Sequence, residues 1–365
     1  MTTPGVPATP RRPRRSVVLS VLAASIVAGV AAGAVVANAG DLPDPQPTPS
    51  SSSASASASV TPTATSTSTY EPLPQSDAPL GEDQFVVPRG PDDDTRLYLA
   101  NVSGEGKPRK LSSPKDHHVN SPTLSADRRT LIYVDRTAQR LRTMAADGSD
   151  DRQLFDGLPT RCDQIWHVSW SRTDQNSLVI RCTSANGPNR LMVIGLDGTV
   201  IRMFDDQHDH LDDPVISPDG QSVAYWASDG SDKSPGGGAI YTRALDGSGT
   251  PKRLTATVTG RDADPAWSPD GSQIAFRRRI VDDNLDVYRM NSDGSDERRV
   301  VKGPAVDEKP LWSPDGSQLM IISNRTPDGE RGDSDDVYLV DVEGGSLKPL
   351  GLRSETISTP VWSSR

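Results

Sequence analysis

Cysteine and aromatic side chains are scarce in this chain. Two cysteines among 365 residues exclude a disulfide-dense scaffold and a cysteine-rich zinc module. Positive charge is in deficit: 39 Lys and Arg stand against 49 Asp and Glu, a net charge of −10, which argues against a nucleic-acid duplex as partner. Helical periodicity is missing as well. Beyond the N-terminal region no stretch of ten or more residues places its apolar positions at helix spacing. Glycine and proline are plentiful instead, 30 and 31 residues, which disfavours a helical bundle. Apolar residues amount to only 34% and aromatics to 5%. They concentrate downstream of residue 80, so wholesale disorder is excluded.

Arg11, Arg12, Arg14 and Arg15 precede an uncharged run from Ser16 to Val36. As a helix that run would reach about 31 Å, enough to cross a bilayer. The basic cluster predicts that residues 1–15 stay in the cytoplasm while the remainder is exported. Two outcomes are open. Residues 16–39 form an uncleaved single-pass anchor, because the run exceeds the usual signal core, or Ala37-Asn38-Ala39 is a cleavage site and the protein is secreted after Ala39. Residues 40–79 are rich in Pro, Ser, Thr and Ala and read as a disordered stalk, too poor in apolar surface to offset its ordering entropy. The domain proper is expected over 80–365.

That domain repeats. Trp267-Ser268-Pro269-Asp270-Gly271 and Trp312-Ser313-Pro314-Asp315-Gly316 are identical, and Ile216-Ser217-Pro218-Asp219-Gly220 differs only in its first residue. Leu124-Ser125 and Trp170-Ser171 begin decayed copies, and Trp362-Ser363 begins another. The serines at 125, 171, 217, 268, 313 and 363 are separated by 46, 46, 51, 45 and 50 residues. A period near 45 with strand-like contents indicates a four-stranded propeller blade. Each anchor precedes two short alternating apolar runs, such as Ile274 to Phe276 and Val287 to Met290. An Asp-Gly turn then follows, as at Asp147-Gly148, Asp197-Gly198, Asp246-Gly247 and Asp293-Gly294. The expected fold is all-β, a six-bladed propeller. The first blade has strands from Gln84 onward but lacks its own first strand, so Thr359 to Ser363 is predicted to pair into it and close the ring.

Pro-x-Trp-Ser-Pro-Asp-Gly followed by an apolar strand resembles the repeat of the TolB-like propellers, relatives of the WD repeat family. The resemblance spans Gln84 to Ser363 and is strongest in the last two blades. It implies the fold. It does not imply a role in the Tol system, because the N-terminal mixed α/β domain of TolB is absent and an apolar segment and stalk stand in its place.

Chemistry is weakly marked. There is no Gly-x-Ser-x-Gly elbow and no His-Glu-x-x-His, and the hydrolase domain that accompanies similar propellers in dipeptidyl peptidases is lacking, so catalysis is not indicated. The Asp-Gly acids recur at one phase of the repeat, which a turn explains better than calcium. His208 and His210, amid Asp205, Asp206, Asp212 and Asp213, are the candidate ligands for a divalent metal, the one cofactor considered, and would serve a propeller lyase or hydrolase. Cys162 and Cys182 are expected to form a disulfide closing about 20 residues. By the repeat, Ser121, His167, Asp213, Asp264, Lys309 and Thr359 form a ring at one mouth of the channel, with Asn120, Trp166, Asp212, Ala263, Glu308 and Ser358 one step earlier. His167, Asp213, Asp262, Asp264, Asp307, Glu308 and Lys309 are therefore the candidate ligand-binding residues. Their acidic balance favours a cationic or polar ligand over an anionic one. The function expected is a monomeric, membrane-tethered or secreted envelope module that binds a protein, peptide or glycan.

Overall fold

Ile274 to Phe276 is the middle of a strand that runs on through three arginines, Gln273–Arg279. The same holds around the molecule, because each apolar run is continued at its ends by residues that the next strand satisfies. The computed structural model describes residues 71–91, 94–111, 117–184, 187–204, 206, 208–228, 237–256, 261–280 and 284–362. The basic N-terminus, the apolar run from Ser16 to Val36, most of the expected stalk, Asp205 and Ser363 lie outside the described residues. Among the described residues no helix is long and apolar enough to cross a membrane.

These residues form a six-bladed β-propeller of antiparallel blades, with the strands of blades 2 to 6 in sequence order from one edge of the sheet to the other. Blade 2 comprises Val119–Leu124, Thr130–Asp135, Arg140–Ala145 and Arg152–Gln153. Blade 3 comprises Gln164–Trp170, Ser177–Thr183, Arg190–Gly195 and Val200–Met203. Blade 4 comprises His210–Ile216, Ser222–Ser228, Ala239–Ala244 and Lys252–Arg253. Blade 5 comprises Asp262–Trp267, Gln273–Arg279, Leu285–Asn291 and Arg298–Val301, and blade 6 Asp307–Trp312, Gln318–Arg325, Arg331–Asp341 and Lys348–Pro349. Blade 1 takes Gln84–Gly90, Arg96–Asn101 and Arg109–Lys110 from the start of the domain. From the end of the chain it takes Thr356–Ile357 and Val361–Trp362, which pair with its first segment at Arg89↔Ile357 and Phe85↔Trp362.

The repeated tetrad explains its own recurrence. Ser268 Oγ donates to Asp270 Oδ1 at 2.6 Å and accepts the Gln273 amide at 2.9 Å, while Asp270 accepts the Ser272 amide at 3.0 Å. Gly271, at φ 73°, supplies the left-handed residue that the loop needs. Ser217 and Ser313 build the same loop. At the opposite turns, Asp147, Asp197, Asp246 and Asp293 each accept the amide two residues on, an Asx turn, and the glycine alone has positive φ. No second residue is needed at these acids, so the turn accounts for them.

The apolar core lies between blades rather than within them. Trp226 and Ile240 of blade 4 pack with Ile274 and Phe276 of blade 5. Val287 of blade 5 packs with Trp312 and Leu319 of blade 6, and Met320 of blade 6 with Phe85 and Trp362 of blade 1. Each such fully buried side chain contributes roughly 1.5–3 kcal/mol. Trp267 Nε1 donates to Val215 O and Trp312 Nε1 to Ala266 O, so each indole also hydrogen-bonds the first strand of the preceding blade. Trp362 instead donates to Glu82 O beside its own blade.

Order begins before residue 80. Ser76, expected in the stalk, is buried, its amide bonded to Arg129 O, and Thr130 Oγ1 donates to Pro74 O. Their partners, Arg129 and Thr130, stand at the start of the second strand of blade 2, and the sequence of the stalk does not advertise them. Cys162 and Cys182 are disulfide-bonded, with Cα atoms 5.5 Å apart.

Candidate functional site

The first strand of each of blades 2 to 6 carries one extra residue that breaks its register with the second. In four of them the break coincides with a non-glycine residue in left-handed backbone followed by proline: Ser121 (φ 46°), Asp213 (52°), Asp264 (51°) and Lys309 (52°). Such a conformation costs of order 1–3 kcal/mol and persists only where the surrounding structure imposes it. In blade 3, where Val168 replaces the proline, the unpaired residue is Trp166. The breaks place Ser121, His167, Asp213, Asp264 and Lys309, together with Thr359 of the C-terminal segment, around a cavity of ≈ 200 Å³ on the channel.

The side chains there are tied to one another. His167 Nδ1 lies 2.6 Å from Asp212 Oδ1, and its Nε2 3.6 Å from Asp213 Oδ1. Arg181 Nε is 3.5 Å from the same Asp212 oxygen. Asp213 Oδ2 accepts the Asp264 amide at 3.3 Å, Asp264 is paired with Arg277, and Lys309 Nζ is 3.3 Å from Glu308 Oε1. Burial opposes every one of these charges, and the partners decide the outcome. Burial would raise the Asp212 pKa, but the charge and hydrogen bond of His167 overcome it and hold the carboxyl to about 2. Asp213 is pushed up to about 7 by burial and then by the charges of Asp212 and Asp264. Burial would lower the His167 imidazole, but Asp212 raises it above its ordinary value, and Asp264 is held below its own by Arg277 and Lys309.

A family description, the TolB beta propeller domain, matches residues 177–365, just over half of the chain. The chain belongs to the TolB beta propeller domain family. Among solved structures, TolB from Acinetobacter baumannii is similar at 20% identity and a TM-score of 0.60, over 78% of this chain and 68% of that one. A chain of the nidogen/laminin complex matches at 10% identity and a TM-score of 0.57, over 77% and 99%. Oligogalacturonate lyase in complex with manganese matches at 16% and 0.51, over 76% of each. At these identities the likenesses carry the fold alone.

Of the residues expected at the mouth of this TolB-type propeller, His167, Asp213, Asp264 and Lys309 line the cavity, and Glu308 supports Lys309. Asp262 and Asp307 do not line it. Both are fully buried, Asp262 held by two nitrogens of Arg278 at 2.6 and 3.0 Å and Asp307 by Arg325 at 2.7 Å. They are structural ion pairs within blades 5 and 6, because the extra residue that follows them in each first strand shifts the side-chain alternation between them and the rim.

The two histidines expected to bind metal have other partners. His208 Nδ1 meets Asp206, its Nε2 lies 3.1 Å from Tyr241 Oη, and its ring packs on Tyr241 at 4.6 Å. Both ring nitrogens are therefore engaged. His210 begins the first strand of blade 4, paired with Ser228. Among the described residues, the group with metal-ligand spacing is His167, Asp212 and Asp213, whose ligand atoms lie within 4.8 Å of one another.

Sequence reasoning passed over three arginines beside the rim residues: Arg136 on Trp166, Arg181 near Asp212 and Arg277 on Asp264. Their one signal was position, since each falls at or just beyond the end of the second apolar run of its blade.

Proposed function

We propose that this TolB-type propeller, its ring closed by the C-terminal strand on blade 1, is an envelope binding module. It takes a segment of a protein, peptide or glycan at the mouth of its channel. Ser16 to Val36 would tether it to the membrane, or direct its secretion, with the propeller outside the cytoplasm. The observation that carries the reading is the bulged rim. A strained backbone conformation repeats in blade after blade while the side chain it presents changes from Ser to Asp to Lys. A rigid scaffold holding dissimilar groups around one opening is what recognition of an irregular polymer segment requires.

The test is capture from envelope extracts with the full chain, compared with Asp264→Asn combined with Lys309→Met. A partner retained by the native chain and lost by the variant is the expected result. A partner captured equally by both would place recognition elsewhere.

A second reading, a metal-dependent lyase or hydrolase, draws on the closeness of His167, Asp212 and Asp213 and on the manganese complex of oligogalacturonate lyase. It moves the proposed metal away from His208 and His210. Against it, Arg181 already neighbours Asp212, and a divalent ion there would face a fixed cation. Stoichiometric manganese or calcium on the purified chain, lost in His167→Ala, would favour it over the first.

A further inference from the structure

At the junction of blades 2 and 3, next to His167, two arginines gather on one tryptophan. Arg136 follows the second strand of blade 2, and its guanidinium carbon lies 3.2 Å from the centroid of the Trp166 ring. Arg181 of blade 3 lies over the same ring at 4.8 Å. Stacking satisfies the face of a guanidinium but not the N–H groups at its edge. Arg136 Nε and Trp166 Nε1 are both buried, and among the described residues neither has a hydrogen-bond acceptor. Arg136 likewise makes no ion pair among the described residues, unlike Arg277, Arg278 and Arg325. A buried donor left without an acceptor is costly, and more so on a charged group, so two in stacked side chains make a place for an acceptor.

We propose that Arg136 and Trp166 form an anion subsite that takes a carboxylate. The two donors belong to stacked side chains, and the proposal is that one planar group with two oxygens accepts from both. The local charge fits one negative charge rather than two. Arg136 feels the like charge of Arg181, which lowers its pKa below the ordinary value together with burial, and the opposite charge of Asp212. Arg181 and His167 both face the Asp212 carboxylate, which leaves the Arg136 charge to neutralise. The Asp212 carboxylate beside Arg181 would repel a dianion. Asp213 and Asp264 line the cavity, and on this proposal Arg136 and Arg181 add a basic side next to it. The subsite stands apart from the partner reading, since a mouth that captures no envelope partner can still hold a carboxylate here.

The experiment follows the six tryptophan indole N–H signals of the isotope-labelled full chain by NMR, with Trp166 assigned by its loss in Trp166→Phe. Acetate is expected to shift the Trp166 signal saturably. Acetamide, of the same shape without the charge, is expected to leave it in place. Inorganic phosphate should bind more weakly than acetate above pH 7, where it is mostly dianionic. Arg136→Gln should weaken acetate by about tenfold or more, the loss of one charge-assisted pair. Trp166→Phe keeps the stacked ring and removes its donor; read by calorimetry, it should also weaken acetate. The proposal is overturned by the absence of a saturable acetate shift in the native chain, by phosphate binding as tightly as acetate, or by unchanged affinity in either folded variant. Should Arg136→Gln fail to fold, the Trp166→Phe result decides.

Discussion

Asp213 stands beside Asp212 in the chain, yet Asp212 gives up its proton near pH 2 while Asp213 keeps its own to about pH 7. His167 separates them: its Nδ1 is 2.6 Å from the first and its Nε2 3.6 Å from the second. One imidazolium cannot fully compensate two buried carboxylates, and the closer one takes the charge.

The consequence is a stability that falls as pH rises. In the unfolded chain Asp213 titrates near 3.9. Between about pH 4 and 7 the folded protein holds a proton that the unfolded chain has lost. Ionising Asp213 therefore weakens the fold progressively, by on the order of 4 kcal/mol at the upper end. His167, raised above its ordinary value, acts in the same direction: its contribution is complete below about pH 6.5 and is lost above its folded pKa. Asp212 works oppositely, but only as pH falls toward 2. Asp213→Asn is expected to melt well above the native chain at pH 8 and close to it at pH 4.5. A difference independent of pH would refute the assignment.

Arg278 holds both oxygens of Asp262, which is fully buried. Arg278→Met should therefore cost about 3–5 kcal/mol in urea denaturation, because it strands a buried charge. Pairing it with Asp262→Leu should recover most of that loss. If the single variant costs under about 1 kcal/mol, the pair is as weak as an exposed one.

Trp312 is 4% exposed and joins blade 6 to Ala266 O of blade 5. Trp312→Phe keeps an aromatic ring but removes the donor and some volume, for an expected loss of about 1–3 kcal/mol in thermal unfolding. Trp170, whose indole bonds Gln175 O within its own blade, should show a smaller coupling to its neighbour blade in double-variant cycles.

Reducing the bond between Cys162 and Cys182, 20 residues apart, should lower stability by about 3 kcal/mol. Alkylation without reductant should leave the mass of the native chain unchanged, and incorporation of two alkyl groups would show free thiols instead.

The blade was legible in the sequence because its signals are local. Ser268, Asp270 and Gln273 make their loop within five residues, and Asp293 makes its turn within two, so any copy of the string folds the same way. Alternation of apolar residues then fixed which faces meet between blades. The candidate site was legible only as a ring of positions. Asp213 and Asp264 reach the channel, whereas Asp262 and Asp307, equally acidic and one or two residues from the rim, turn into their blades. That choice is made by the extra residue in each first strand, which shifts the side-chain alternation after the sequence pattern has already been read. His208 was captured by Tyr241, 33 residues away, and Arg136 came to rest on Trp166 of the next blade. The sequence by itself determined the repeat, the turns and the apolar seams, since these depend on neighbours along the chain. Only the tertiary structure decided which charges are spent on one another and which are left facing the mouth, because the partner of a buried charge lies on another strand, and its position is set by register and bulge.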